Sequence, residues 1–222
     1  MNVKLLSYSQ PTDEFASMGI DDAQELIAYC ARVSNPSNQF NTETSNKLIR
    51  YLVKHQHWSP LEMVSACLEI TTTRDIARQI LRHRSFSFQE FSQRYADPTK
   101  DLSFVTREAR LQDTKNRQNS IETDDLGLQE EWAMIQQAVI DASKEAYTWA
   151  IENGIAKEQA RAVLPEGLME SRLYMNGTLR SWVHFIELRS GNGTQKEHQE
   201  IARACASVIA SVFPLTSEFV SS

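Results

Sequence analysis

Between residues 62 and 73 the side chains alternate. Val64, Ala66, Leu68 and Ile70 fall on one side, and Ser65, Glu69 and Thr71 on the other. A period of two describes a strand with one dry face and one wet face, and an amphipathic helix does not produce it. Residues 168–175 alternate again, and 3–9 and 102–105 are shorter strand candidates. Helical spacing fills much of the rest. It runs over 21–33 (Ala23, Leu26, Ile27, Cys30), 41–55 (Leu48, Ile49, Leu52, Val53) and 74–84 (Ile76, Ala77, Ile80, Leu81). It returns over 123–153, 157–163, 178–189 and a final stretch closed by Pro214. Thr194 and Glu197 have the spacing of a capping box for that last helix, and Gly154 suits a C-terminal cap. Residues 107–120 are polar and unpatterned, which predicts a mobile surface excursion. The expected fold class is α/β of the α+β kind: one helix-rich domain spanning residues 1–222, with a central, mostly antiparallel sheet.

Composition narrows the function. Glycine supplies 7 of 222 residues, about half the usual ~7%. Gly191 and Gly193 form the one paired-glycine element, without the third glycine or preceding strand of a dinucleotide-binding turn. The net charge of −6 argues against a general nucleic-acid binder, so any anion recognition must be local. The first ten residues lack a secretory pattern, and no apolar run reaches the ~18 residues of a membrane span, so the expected setting is cytoplasmic. Cys30, Cys67 and Cys205 are scattered without metal-binding or disulfide spacing and are expected to be reduced core thiols. His55 and His57 have no accompanying acid or cysteine at ligand spacing, and no metal is expected.

The chemically informative stretch is 74–95. It holds Arg74, Arg78, Arg82, Arg84 and Arg94 and no lysine, with Asp75 and Glu90 as its acids. Arg74, Arg78 and Arg82 share one helix face, where like charges repel by about a few tenths of a kcal/mol per pair. An anion or intervening carboxylates must offset that repulsion. Guanidinium is a planar fork suited to phosphate or to a heterocycle edge, which an ammonium is not. In an extended segment Ser92 and Arg94 would project together. Phe86, Phe88, Phe91 and Tyr95 interleave stacking surface with the charge. A solvated basic face, a single-strand nucleic-acid module and an anion-binding active site all remain open on these residues alone.

Arg82-His83-Arg84, seven residues, then Ser92-x-Arg94 is similar to the signature of the flavin-dependent thymidylate synthases. The resemblance extends through His57-x-Ser59-Pro60-x-Glu62, Ala160-Arg161-x-x-Leu164-Pro165 and Glu187-Leu188-Arg189. It implies a homotetramer with active sites shared between subunits, using FAD, NADPH and 5,10-methylene-tetrahydrofolate to methylate dUMP. It assigns Gln79, Arg82, Glu90, Ser92, Gln93, Arg94, Arg161 and Arg189 to dUMP. To FAD it assigns Ser34, His57, Ser59, Glu62, Arg82, His83, Arg84, Glu90, Asn176, Arg180 and His184. Arg189 carries the catalytic role, as a fixed cation beside the deprotonated pyrimidine. Gln93 stands where many relatives have a small residue, and the 190–196 loop departs from the common form. No cysteine or serine has the partners of an activated nucleophile, so the cofactor is expected to perform the chemistry. A flavoprotein reductase or oxidase without methyl transfer is the nearest rival. It has no need of Arg94, Arg161 and Arg189.

Overall fold

The computed structural model describes residues 1–219. Strand β1 (Asn2–Tyr8) leads into helices α1 (Asp13–Ser17), α2 (Ala23–Ala31) and α3 (Ser45–Lys54). Strand β2 (Ser65–Thr73) passes directly into α4 (Arg74–Ile80), followed by β3 (Ser87–Glu90) and α5 (Pro98–Asp101). A hairpin of β4 (Arg110–Gln112) and β5 (Ser120–Glu122) precedes the long α6 (Leu126–Glu152) and the short α7 (Lys157–Ala160). Strand β6 (Glu170–Thr178) passes directly into α8 (Leu179–Ser190). Helices α9 (Lys196–Ala210) and α10 (Thr216–Phe219) follow.

The main sheet has the order β1-β2-β6-β3, with every neighbour antiparallel. Its centre is the β2–β6 ladder, in register from Ser65↔Thr178 to Thr73↔Glu170. Both alternating stretches of sequence are therefore central strands paired with each other. Ala66, Leu68, Ile70, Leu173 and Met175 are buried against α8 and α9, which contribute Trp182, Val183, Phe185, Ile186, Ile201, Cys205 and Ile209. Trp182 fills the interface and donates its indole N–H to the Ala66 carbonyl at 3.0 Å, satisfying the one polar atom it buries. The opposite face carries Cys67, Glu69, Arg172, Tyr174 and Asn176, none of them buried. Cys67 therefore departs from the expected core position because it lies on the other parity of its strand. Cys30 is half-buried on α2, and Cys205 alone is in the core.

The ladder is antiparallel and each central strand runs straight into a helix. Helices α4 and α8 therefore begin at opposite ends of the sheet. Thr178 caps α8 by accepting from the Ser181 amide, and Asp22 does the same for α2 through the Glu25 amide.

Two local expectations are corrected. The 107–120 segment is the β4–β5 hairpin with its lead-in, and it is tied down. Gln136 clasps the Arg107 backbone, and Gln129 clasps that of Ala109, from one face of α6. Arg107 also donates to Thr73 and Asp75. Such side-chain-to-backbone bonds leave no periodicity in the segment they hold. Thr194 and Glu197 do not form a capping box. Gln195 occupies the cap of α9 without a side-chain bond to a helix amide, Thr194 Oγ1 donates to the Leu188 carbonyl, and Arg110 draws off the Glu197 carboxylate.

At Gly177 a Cβ would lie 2.4 Å from Phe86 Cδ1, and Phe86 is itself packed edge-on against Trp182. Gly177→Ala should destabilise the protein by roughly 2–3 kcal/mol through overpacking. A urea midpoint equal to wild type would show that this contact is not tight.

Candidate active site

The functional candidates gather at three places, set by the two helices that leave the sheet. At the start of α4, Arg74 and Arg78 lie one turn apart on a common face, and Arg74 is almost fully buried. Two carboxylates stand between them. Glu90 at the end of β3 lies 3.8 Å from Arg74 and 3.5 Å from Arg78. Glu166 lies 3.4 and 3.7 Å from the same pair. Ser171 on β6 donates to Glu90 at 2.8 Å and fixes the carboxylate against the sheet. Even so, the Arg74 guanidinium is held below its ordinary pKa, first by burial and then by Arg78. Arg161 adds to this, so it too faces the cluster. Arg161 Nε donates to the Glu158 carbonyl, and Arg94 pairs with the Glu158 carboxylate at 3.4 Å. Arg74, Arg78, Arg94 and Arg161 thus meet Glu90, Glu158 and Glu166, and positive charge is left over at an exposed edge.

Ser92 and Arg94 are not on an extended segment as their alternation suggested. The Ser92 carbonyl accepts from the amides of Tyr95 and Ala96, so 92–96 is a tight turn, and Ser92 Oγ accepts from the Arg94 amide. The two side chains still belong to one loop. Gln93 is buried within it, and its Nε2 has no hydrogen-bond partner.

The second place is the far end of α8. Arg189 Nε donates to His83 Nε2 at 2.9 Å. A ring nitrogen that accepts is unprotonated, so His83 is neutral with its proton on Nδ1. Burial and then Arg189 lower its pKa to about 4. The imidazole sits edge-on against Phe185, 4.9 Å between centroids. Arg82 stands near enough to lower the Arg189 pKa further, after burial. Gln79 lies beside them, between Gln195 and His198. The Arg82-His83-Arg84 triplet is thereby split. His83 turns inward to Arg189, while Arg82 and Arg84 are exposed.

The third place is the start of α8 and the turn that precedes β2. Arg180 pairs with Glu62, and its buried Nε has no partner. His184 packs edge-on against Trp58, 4.5 Å between centroids. His57 lies beside Tyr51. Ser34 and Tyr51 line a cavity of about 510 Å³ that also takes in Arg32 and Lys47. Ser59 is exposed in the same turn, and Asn176 lies on the open face of the sheet, paired with Ser87 of β3. An orphaned guanidinium N–H, exposed imidazole edges and nearby cations suit a ligand with a diphosphate and flat rings, as FAD has. Among the described residues this group makes no hydrogen bond or ion pair to Arg94, Arg161 or Glu90.

Sequence reasoning missed His198, Gln195, Glu158 and Glu166. His198 carried a signal, since it extends the buried α9 face of Ile201, Cys205 and Ile209 by one polar residue. The glutamates carried none, because their partners are distant in the chain. Burial raises the pKa of all three cysteine thiols.

A helix-covered antiparallel sheet with surplus guanidinium at one end, and an arginine held by a neutral imidazole at another, defines a protein of anionic-ligand chemistry. The sequence model of the thymidylate synthase complementing protein family matches residues 16–215. A probable flavin-dependent thymidylate synthase of Paramecium bursaria Chlorella virus 1 is 48% identical over 214 residues, covering 96% of each chain. The flavin-dependent thymidylate synthase of Synechocystis sp. is 47% identical over 215 residues, again 96% of each. Among solved structures, the UMP/dUMP methylase PolB of Streptomyces cacaoi, bound with 5-Br dUMP, superposes with a TM-score of 0.81 at 25% identity. That match covers 98% of this chain and 93% of PolB. This chain belongs to the flavin-dependent thymidylate synthase family.

His83 and His198 should both stay neutral well below pH 6, their pKa values being lowered to about 4 and about 3 by burial and by Arg189. Their contribution to stability is complete above the unfolded value of about 6.5 and is lost as pH falls toward those folded values. Imidazole carbon shifts should remain at their neutral positions from pH 8 to 5. A midpoint near 6.5 for either ring would contradict the geometry.

Proposed function

We propose that this chain reductively methylates dUMP to dTMP, binding FAD, with NADPH and 5,10-methylene-tetrahydrofolate as co-substrates and without a nucleophile from the protein. The observation that carries this is the Arg189–His83 bond. It occupies Nε and fixes the plane of the guanidinium, leaving the Nη groups for two parallel hydrogen bonds to the edge of a pyrimidine ring. His83 is neutral and adds no competing charge, so the full cation faces the negative charge that develops on the ring.

Arg94, Arg161 and Ser92 would hold the nucleotide phosphate, with Glu90 pairing Arg74 and Arg78 beside them. Gln79, Gln93 and Arg82 would complete the nucleotide pocket. Arg180 and Arg84, with Arg82, His83, Glu90, His57, His184, Ser34, Ser59, Glu62 and Asn176, would hold the flavin. Bound and reduced, the flavin supplies hydride, and the folate supplies the one-carbon unit. The protein's part is to orient the two planar groups and to exclude water from between them.

Among the described residues Arg180, Glu62, His57 and His184 make no hydrogen bond or ion pair to Arg94, Arg161 or Ser92, which supports sites shared between subunits of a homotetramer. Further support comes from α6, which exposes Trp132, Met134, Ile135, Val139 and Trp149 along its length. No helix among the described residues is long and apolar enough to cross a membrane. We place the enzyme in the cytoplasm, with residues 1–222 acting as one domain.

Arg189→Ala should retain FAD and lose methyl transfer. Turnover of dUMP near the wild-type rate would remove Arg189 from the chemistry. Arg94→Ala should weaken dUMP binding by roughly 2–3 kcal/mol, the scale of a charge-assisted contact. An unchanged dissociation constant would take Arg94 out of the phosphate site.

A further inference from the structure

A chain of directional hydrogen bonds runs from the β4–β5 hairpin to Gln79. Arg110 Nη2 donates to Glu197 Oε1 at 2.6 Å, and both side chains are largely buried. Gln195 Nε2 donates to Glu197 Oε2 at 2.9 Å. Gln79 Nε2 donates to Gln195 Oε1 at 2.9 Å. His198, fully buried, places Nδ1 3.2 Å from Gln79 Oε1.

A carboxamide is nearly symmetric in shape, so packing alone does not decide which end carries the N–H groups. Here the charge decides. An ionised carboxylate only accepts, so Gln195 must turn its amide nitrogen to Glu197. Its oxygen is then left facing Gln79, and that oxygen also only accepts, so Gln79 must turn its nitrogen to Gln195. Gln79 Oε1 is left toward His198, which must donate from Nδ1. The polarity set by one buried ion pair thus passes through two amides and selects an imidazole tautomer. One N–H of Gln79 stays unclaimed, a donor held in fixed direction.

We propose that Glu197 and Gln195 are positioning residues that lock the Gln79 carboxamide in the flip state that presents its free N–H to the nucleotide, with His198 taking the tautomer that this state demands. The inference rests on the assignment of Gln79 to the dUMP pocket. Neither Glu197 nor Gln195 need touch substrate. Their effect is transmitted wholly through Gln79, which separates this role from a general contribution to packing.

The test is a double-mutant cycle on the FAD-loaded protein, with dUMP affinity read by calorimetry. Glu197→Gln lets both amides reverse, and Gln195→Leu removes the acceptor that holds the Gln79 nitrogen. Each should raise the dUMP dissociation constant about tenfold, the equivalent of one directed hydrogen bond. Flavin content should remain at the wild-type level. With Gln79→Ala already present, neither substitution should change the dissociation constant further. Equal losses in the two backgrounds would overturn the proposal by showing a merely structural effect, and so would no loss in either. If Glu197→Gln fails to fold because Arg110 loses its partner, the Gln195→Leu arm decides alone. Wild-type protein that binds FAD but not dUMP would overturn the functional assignment itself. Tight wild-type binding with an additive cycle would overturn this inference only.

Discussion

The arginines of this protein can be concentrated in one place only because Glu90 stands among them. Arg74 and Arg78 are neighbours on a helix, and Arg74 is buried, a costly position for a cation beside a like charge. Glu90 reaches both, and Ser171 on β6 holds it there. One carboxylate therefore ties helix α4, strand β3 and the central strand β6 into a single unit. The compensation is incomplete, since Arg94 and Arg161 add cations that Glu158 and Glu166 do not fully offset. What remains is an electropositive edge on a chain whose net charge is −6. That is the electrostatic form of a local anion site.

The second organising element is helix α8. It leaves the sheet at Thr178, carries Arg180 at its first turn and ends beyond Arg189. Nine residues at about 1.5 Å each place those two cations roughly 13 Å apart along the axis. Trp182, Phe185 and Ile186, fully buried between them, fix the helix rigidly against the sheet. Arg180 meets Glu62 at one end, and Arg189 meets His83 at the other. Two cations are then held at set positions by a single rigid rod.

Much of this was legible in the sequence, for identifiable reasons. Strict alternation located β2 and β6, because a half-buried strand leaves its period in the chain. Arg74 and Arg78 announced a charge cluster, because α4 is helical, but the helix ends at Ile80 and Arg82, expected on the same face, stands beside Arg189 instead. Three features could not be read. The 107–120 hairpin is held by Gln129 and Gln136 from α6, and bonds to backbone leave no pattern in the segment held. The Thr194–Glu197 pair looked like a cap, yet Arg110, more than 80 residues upstream, draws off the glutamate. Ser92 and Arg94 alternate as strand residues do, but a turn closed by the Ser92 carbonyl brings them into one loop. The last of these is a local turn, whereas in the first two a contact distant in sequence outweighed a local preference. The inward turn of His83 has the same origin, since its partner is 106 residues away.

The central claim is that guanidinium groups from separate elements position a pyrimidine nucleotide for methylation by cofactors. The most direct measurement is release of tritium from 5-tritiated dUMP by the purified protein supplied with FAD, NADPH and methylene-tetrahydrofolate. Release that requires all three, accompanied by dTMP in equal amount, is the predicted result. Oxidation of NADPH with no tritium released would contradict the claim and would make the chain a flavin reductase that happens to carry a nucleotide-like pocket.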